Sequence, residues 1–191
     1  MIAYENLLTY QQSEEIYDLT VEFCQNFLWG REELRQREQM IQAARSAKQC
    51  IAEGATQKTS LKGYIKMLGV SRGSLEELLR DFQDFARLKN VPIWDKSDFR
   101  LRKMGERVKK VKRETGRYKL PLIPSQPSTP SQPSYPLNYL VDLIIRTNYL
   151  LDRQRNSLEE KFVKEGGYTE TLFRKRLIYR KKQKEIPKKT L

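Results

Sequence analysis

The sequence predicts an all-α fold, and three observations carry the prediction. Apolar residues return at three- and four-residue steps in six stretches. No run alternates apolar and polar residues well enough to make a strand. Glycine and proline fall mostly between the periodic stretches. At 191 residues, with 38% hydrophobic and 32% charged, the chain is long enough to bury a real core.

The first helix opens at Thr9-Tyr10-Gln11-Gln12, the T-x-x-Q form of a capping box, with Ser13 a competing N-cap one turn later. Behind it Ile16, Leu19, Phe23 and Phe27 make one apolar stripe, and Glu14, Asp18 and Glu22 an acidic row on a neighbouring face. A second helix runs from about Glu33 through Met40, Ala44, Ala47 and Ile51. It is expected to stop at Gly54, which enters the left-handed conformation without a Cβ penalty. The third follows Thr59-Ser60 and keeps Leu61, Tyr64, Ile65, Leu68, Leu75, Leu78, Leu79, Phe82, Phe85 and Ala86 on one face. Gly69 and Gly73 interrupt it at a cost of about 1 kcal/mol each relative to alanine. Close helix-helix approach is the plain compensation, a kink the alternative. Asn90-Val91-Pro92 ends the helix.

A fourth helix, about Ser97 to Thr115, has a narrow stripe of Leu101, Met104, Val108 and Val111 among lysines and arginines, the pattern of a surface helix with a weak grip on the core. Prolines then recur every third residue at 121, 124, 127, 130, 133 and 136. Polyproline II has three residues per turn, which lines the rings along one edge. A spacer is the preferred reading over a ligand for SH3 or WW domains. The fifth helix, about Leu137 to Lys164, carries Leu140, Leu143, Ile144, Leu151, Leu158 and Phe162 and ends at Gly166-Gly167. Thr169 caps the sixth, Glu170 to about Lys184, with Leu172, Phe173 and Leu177 on one side and the basic tail on the other. The chain thus divides into three helices (9–92), a basic helix (93–119), a proline linker (120–136), a closing helix (137–166) and a basic suffix (167–191).

Charge is concentrated. The chain carries +13 overall. Over 101–120 there are nine Lys/Arg and two acids, net +7, and over 174–191 nine and one, net +8. Those segments hold +15 between them, so the remainder carries −2. Local cationic stretches of this density favour polyanions.

Histidine is absent, which removes Ser-His-Asp and Cys-His catalysis, His-ligated metals and imidazole acid-base chemistry. Cys24 and Cys50 form no C-x-x-C pair; two cysteines fit a reduced, cytoplasmic protein, with one disulfide left open. Cys50, beside Ile51 on an apolar stripe, reads as a small core residue rather than a nucleophile. Glu77, Asp81 and Asp84 share a face and read as a solvated row partnering Arg80 and Arg87 rather than as a metal site. No phosphate-binding G-x-x-x-x-G-K-[ST] loop occurs. Neither signal peptide nor membrane-spanning run is expected. The expectation is a protein that is not an enzyme, has no cofactor and does not contact the membrane.

Ala43-Ala44-Arg45-Ser46, then Ile51-Ala52-Glu53-Gly54, then Gly73-Ser74-Leu75-Glu76-Glu77-Leu78 resemble a bacterial four-helix-bundle family. It comprises the proteins of ribosomal RNA intervening sequences and the accessory variability determinant of diversity-generating retroelements. The resemblance spans about Ile16 to Leu88 and, weakly, Leu140 to Leu158. The stretch 147–154, with Glu165-Gly166-Gly167-Tyr168-Thr169-Glu170 after it, looks like the longer branch with a C-terminal suffix. Two features depart from the pattern: Cys50 stands where much of the family has Asn, and 92–137 looks like an insertion. The resemblance implies an up-down four-helix bundle with an inserted basic helix, a polyproline linker and a C-terminal basic helix. It also implies a homo-oligomer, a pentamer, that binds nucleic acid and in some members contacts a reverse transcriptase.

The residues expected to meet phosphates are Lys109, Lys110, Lys112, Arg113 and Arg117 in the first basic segment, and Arg174, Lys175, Arg176, Arg180, Lys181 and Lys182 in the second. Tyr118 and Tyr179 lie among them as stacking platforms. RNA ranks ahead of DNA as the partner. The competing class is a protein-protein scaffold, for example for a reverse transcriptase, in which the lysines serve solubility.

Overall fold

The computed structural model describes residues 3–57, 60–121 and 133–185. A short 3-10 turn, Ala3–Asn6, precedes six α-helices: α1 Leu8–Phe27, α2 Leu34–Thr56, α3 Leu61–Leu88, α4 Phe99–Thr115, α5 Ser134–Glu165 and α6 Tyr168–Glu185. No strand occurs among the described residues. The all-helical expectation holds, and every periodic stretch became a helix.

Five helices pack together. α1 meets α2, α2 meets α3, α3 meets α5 and α5 returns to α1, while α4 lies on α5. The stripe Ile16, Leu19 and Phe23 is fully buried. Phe23 takes the rings of Phe27, Phe82 and Phe85 at centroid distances of 4.9 to 5.1 Å, the last two edge-on. Across α3 and α5, Arg72 joins Glu76 at 3.0 Å to Asp152 at 3.4 Å.

Several local expectations are corrected by tertiary partners. The capping box at Thr9 is not made: the Thr9 hydroxyl donates to Gln154 of α5 and Ser13 to the Thr9 carbonyl, both at 2.8 Å. α1 starts after Leu7 with no side-chain cap. Gly54 does not end α2, which runs on to Thr56. Its role is close approach, because a β-carbon there would sit 2.6 Å from the Tyr64 ring and 3.0 Å from the Met67 β-carbon. Conversely, a β-carbon at Gly69 or Gly73 would meet nothing within 4 Å among the described residues, so neither marks a helix-helix contact among them. The contact lies two residues from each, where the buried Ser71 hydroxyl donates to the Ala47 carbonyl at 2.9 Å.

The α3 ends follow the sequence more closely. Ser60 caps the start, accepting from the Gly63 N–H at 2.9 Å; Thr59 lies outside the described residues. At the far end Asn90 adopts φ 53°, and the N–H groups of Asn90 and Val91 donate to the carbonyls of Arg87 and Ala86. That pairing is a Schellman motif.

α4 begins at Asp98, whose carboxylate accepts from the Arg100 N–H at 2.9 Å. Leu101, Met104 and Val108 are buried, a firmer grip than the narrow stripe suggested. Gly105 admits it: a β-carbon there would sit 3.2 Å from the Tyr139 ring. The segment before α4 is tied down by Asn138, which accepts from the Trp94 N–H at 2.7 Å and donates to the Pro92 carbonyl at 3.0 Å. α5 starts at Ser134 rather than at 137, with Pro133 as N-cap and Pro136 buried in the first turn. Proline is tolerated there because the first helical N–H groups have no intrahelical partner. Residues 122–132, with Pro124, Pro127 and Pro130, lie outside the described residues, as does the tail 186–191.

α6 differs from the rest. Gly167, not Thr169, precedes it: the Gly167 carbonyl accepts from the Thr171 N–H and its N–H donates to Glu170 at 3.0 Å. Leu172, Phe173 and Leu177 are all exposed, and the helix has no extended contact with any other described element.

Candidate nucleic-acid interface

On α4 the burial of Leu101, Met104 and Val108 turns the rest of the helix outward. Lys109, Lys110, Arg113 and, beyond the Gly116 cap, Arg117 are exposed. Lys110 stands 3.9 Å from Glu114; Lys109 and Arg113 make no ion pair with a described residue. The same outward turn exposes Lys103 and Arg107, which the sequence reading did not select. Their spacing was the available signal, since 103, 107 and 110 form one i, i+4, i+7 ridge outside the stripe.

Lys112 goes elsewhere. Its ammonium pairs with Glu14 of α1 at 3.3 Å and lies 4.3 Å from the centroid of the Tyr118 ring. Gly116, with φ 76°, turns the chain back, and residues 116–121 run over the acidic row of α1 as a strap. The Tyr118 backbone favours the ionised form of Asp18, and the Leu120 N–H donates to Glu22. Tyr118 is therefore not the stacking platform expected of it. It packs against the core, and burial together with Glu15, Glu14 and Asp18 pushes its hydroxyl up to about 12. The acidic row was visible in the sequence; its partner, about 98 residues away along the chain, was not.

On α6 the six expected cations, Arg174, Lys175, Arg176, Arg180, Lys181 and Lys182, are all exposed, and none forms an ion pair with a described residue. Arg174 donates to the Glu165 carbonyl at 3.3 Å, tying the helix start to the end of α5. Tyr179 is 62% exposed and its hydroxyl accepts from Gln183 at 3.0 Å. Phe173 is equally exposed, so two aromatic faces lie open among the cations. At 100° per residue these cations distribute around the whole helix rather than along one side, and the apolar residues with them.

Other reactive groups are accounted for within the core. Glu15 is buried and accepts from the equally buried Tyr139 hydroxyl. Burial raises the Glu15 carboxyl above its ordinary value despite that bond and the nearby Lys109, Arg146 and Lys112. Cys24 and Cys50 are buried free thiols; burial pushes Cys24 up to about 12 and raises Cys50 as well. Thiols so raised stay protonated and unreactive at neutral pH. Arg80 pairs with Glu76 at 3.1 Å and Arg87 with Asp84 at 2.9 Å. Among the described residues no cluster of three Cys, Asp or Glu side chains suits a metal ion, and no helix is long and apolar enough to cross a membrane.

Comparison with protein-family models, curated proteins and solved structures gave no match.

Proposed function

We propose that the chain is a non-catalytic nucleic-acid-binding protein, RNA ahead of DNA, acting as an oligomeric scaffold or accessory factor. In this reading α1, α2, α3 and α5 are an up-down four-helix bundle, α4 an insertion and α6 a suffix, as in the family that the 43–46, 51–54 and 73–78 motifs resemble. A homopentamer and a cytoplasmic location belong to the same proposal. The observation that carries it is α6: six exposed cations without an ion pair to a described residue, interleaved with the exposed rings of Phe173 and Tyr179. Cations distributed around a projecting helix suit a flexible polyanion that wraps, and stacking on open rings suits unpaired bases. Such contacts are blind to sequence and sensitive to salt.

The test is a titration of fluorescent single-stranded RNA at stepped salt. If all six α6 cations neutralise phosphates, the log-log slope is about −4, and affinity falls about 300-fold between 50 and 200 mM salt. Reversing Arg180, Lys181 and Lys182 to Glu removes about 2 from the slope. Salt-independent affinity, or no binding at low salt, defeats the reading.

A second reading has one specific observation behind it: Leu172, Phe173, Leu177 and Ile178 are exposed on a helix that covers nothing. This favours a scaffold whose α6 docks a protein, for example a reverse transcriptase, through apolar contacts. Charge reversal at Lys109, Lys110, Lys112 and Arg113 that abolishes RNA binding but leaves partner binding intact supports the first reading.

A further inference from the structure

The acidic row of α1 beneath the strap has the form of an intramolecular substitute for a nucleic-acid backbone. Glu14, Asp18 and Glu22 stand one turn apart on α1, and each is met by the basic segment. Lys112 pairs with Glu14, the Tyr118 backbone favours the ionised form of Asp18, and the Leu120 N–H donates to Glu22, with Lys119 nearby. A cation and backbone N–H groups set along a row of anions are the contacts that proteins offer to successive phosphates. Resting on the nucleic-acid reading above, we infer that the acidic row of α1 competes with nucleic-acid phosphate for Lys112 and the 116–121 strap and holds them latched until a polyanion displaces it.

The latch is poised to open rather than locked. The Lys112–Glu14 pair keeps about a third of each side chain exposed, where water and salt screen the attraction. Burial, together with the neighbouring acids of the row, raises Asp18 and Glu22 despite Lys48 of α2 and the strap's backbone and lysines. Both carboxylates are thus better solvated once uncovered. α4 itself need not leave, because Leu101, Met104 and Val108 anchor it on α5. Only residues 116–121 have to lift, and Lys112, which stays on α4, has only to swing its side chain off Glu14. Release frees Lys112 and Lys119 to join Lys109, Lys110, Arg113 and Arg117 on one phosphate-binding run. It also bares the ring of Tyr118, which Lys112 covers at 4.3 Å.

The experiment compares the full chain with two variants of equal charge change. Glu14→Gln/Asp18→Asn/Glu22→Gln removes the row, and Glu77→Gln/Asp81→Asn/Asp84→Asn removes three acids from α3. The probe is a fluorescein-labelled oligouridylate of about 20 nucleotides at low salt. If the row competes, the α1 variant binds about three- to tenfold tighter than the α3 variant. Equal gains overturn the inference, since bulk charge then explains both. Should the α1 variant fail to fold, hydrogen exchange on the wild-type chain decides. Amides in 116–120, Leu120 among them, lose protection when oligouridylate saturates the protein, and unchanged or increased protection overturns the latch. Binding with equal gains removes the latch alone. Absence of binding in all three proteins removes the nucleic-acid reading and the latch with it.

Discussion

Alanine at Gly69 or Gly73 should stabilise the protein, whereas alanine at Gly54 should destabilise it. All three glycines lie inside helices, where alanine is favoured by about 0.8–1 kcal/mol through reduced backbone entropy in the unfolded chain. At Gly69 and Gly73 a β-carbon meets nothing within 4 Å, so that gain is collected in full, about 1.6–2 kcal/mol for the pair. At Gly54 the new carbon would lie 2.6 Å from the Tyr64 ring and 3.0 Å from the Met67 β-carbon. The ring cannot swing aside freely, since its hydroxyl accepts from Gln154 at 2.6 Å, and Gln154 in turn accepts from Thr9. Overpacking of this kind costs about 1–3 kcal/mol, which outweighs the propensity gain by about 1 kcal/mol at mid-range. Urea unfolding read by far-ultraviolet circular dichroism measures all three. A thermal scan should show the Gly69/Gly73 double variant up by about 3–8 °C. A stabilising G54A would refute the close approach of α2 and α3. A destabilising G73A would mean that the outer face of α3 is covered by something other than this chain.

Two further outcomes follow from the buried titratable groups. Burial raises Glu15 above its ordinary value of 4.5, so the folded state holds that proton more tightly than the unfolded state. The associated stability is full below about pH 4.5 and is lost as pH rises through the folded value. Glu15→Gln keeps an oxygen for the Tyr139 hydroxyl and removes the titration. The urea midpoint of E15Q relative to wild type should therefore rise with pH above 4.5, and a pH-independent difference would refute the assignment. Cys24, fully buried with its thiol pushed up to about 12, should escape iodoacetamide at pH 8 in the native protein and react after unfolding in guanidinium. Mass spectrometry of pulse-labelled peptides reads this, and native labelling at the unfolded rate would count against the burial.

How much of the candidate site could be read in advance differed between the two basic segments. The α6 cations were legible because exposure is the default for a charged side chain, and nothing packs on that helix to change it. Lys109, Lys110, Arg113 and Arg117 were legible for the same reason. Lys112 and Tyr118 were not, because their surroundings depend on a backbone reversal at Gly116 and on carboxylates of a helix far away in the chain. Read with its own helix alone, the acidic row on α1 is three carboxylates on a face beside the apolar stripe. Its desolvation exists only once the strap lies over it.

The sequence by itself determined the helices, since a 3.6-residue apolar period is a property of each stretch and needs no partner to be recognised. It also determined where the net charge sits and which chemistries a histidine-free chain forgoes. Tertiary structure alone decided which polar groups meet. Thr9 abandoned a cap for Gln154, Gly54 became a contact instead of a stop, and Gly69 and Gly73 came to face open space. A buried polar or close-packed group is governed by the neighbour that replaces its water, and that neighbour is chosen when distant helices dock, not by the residues beside it in the chain.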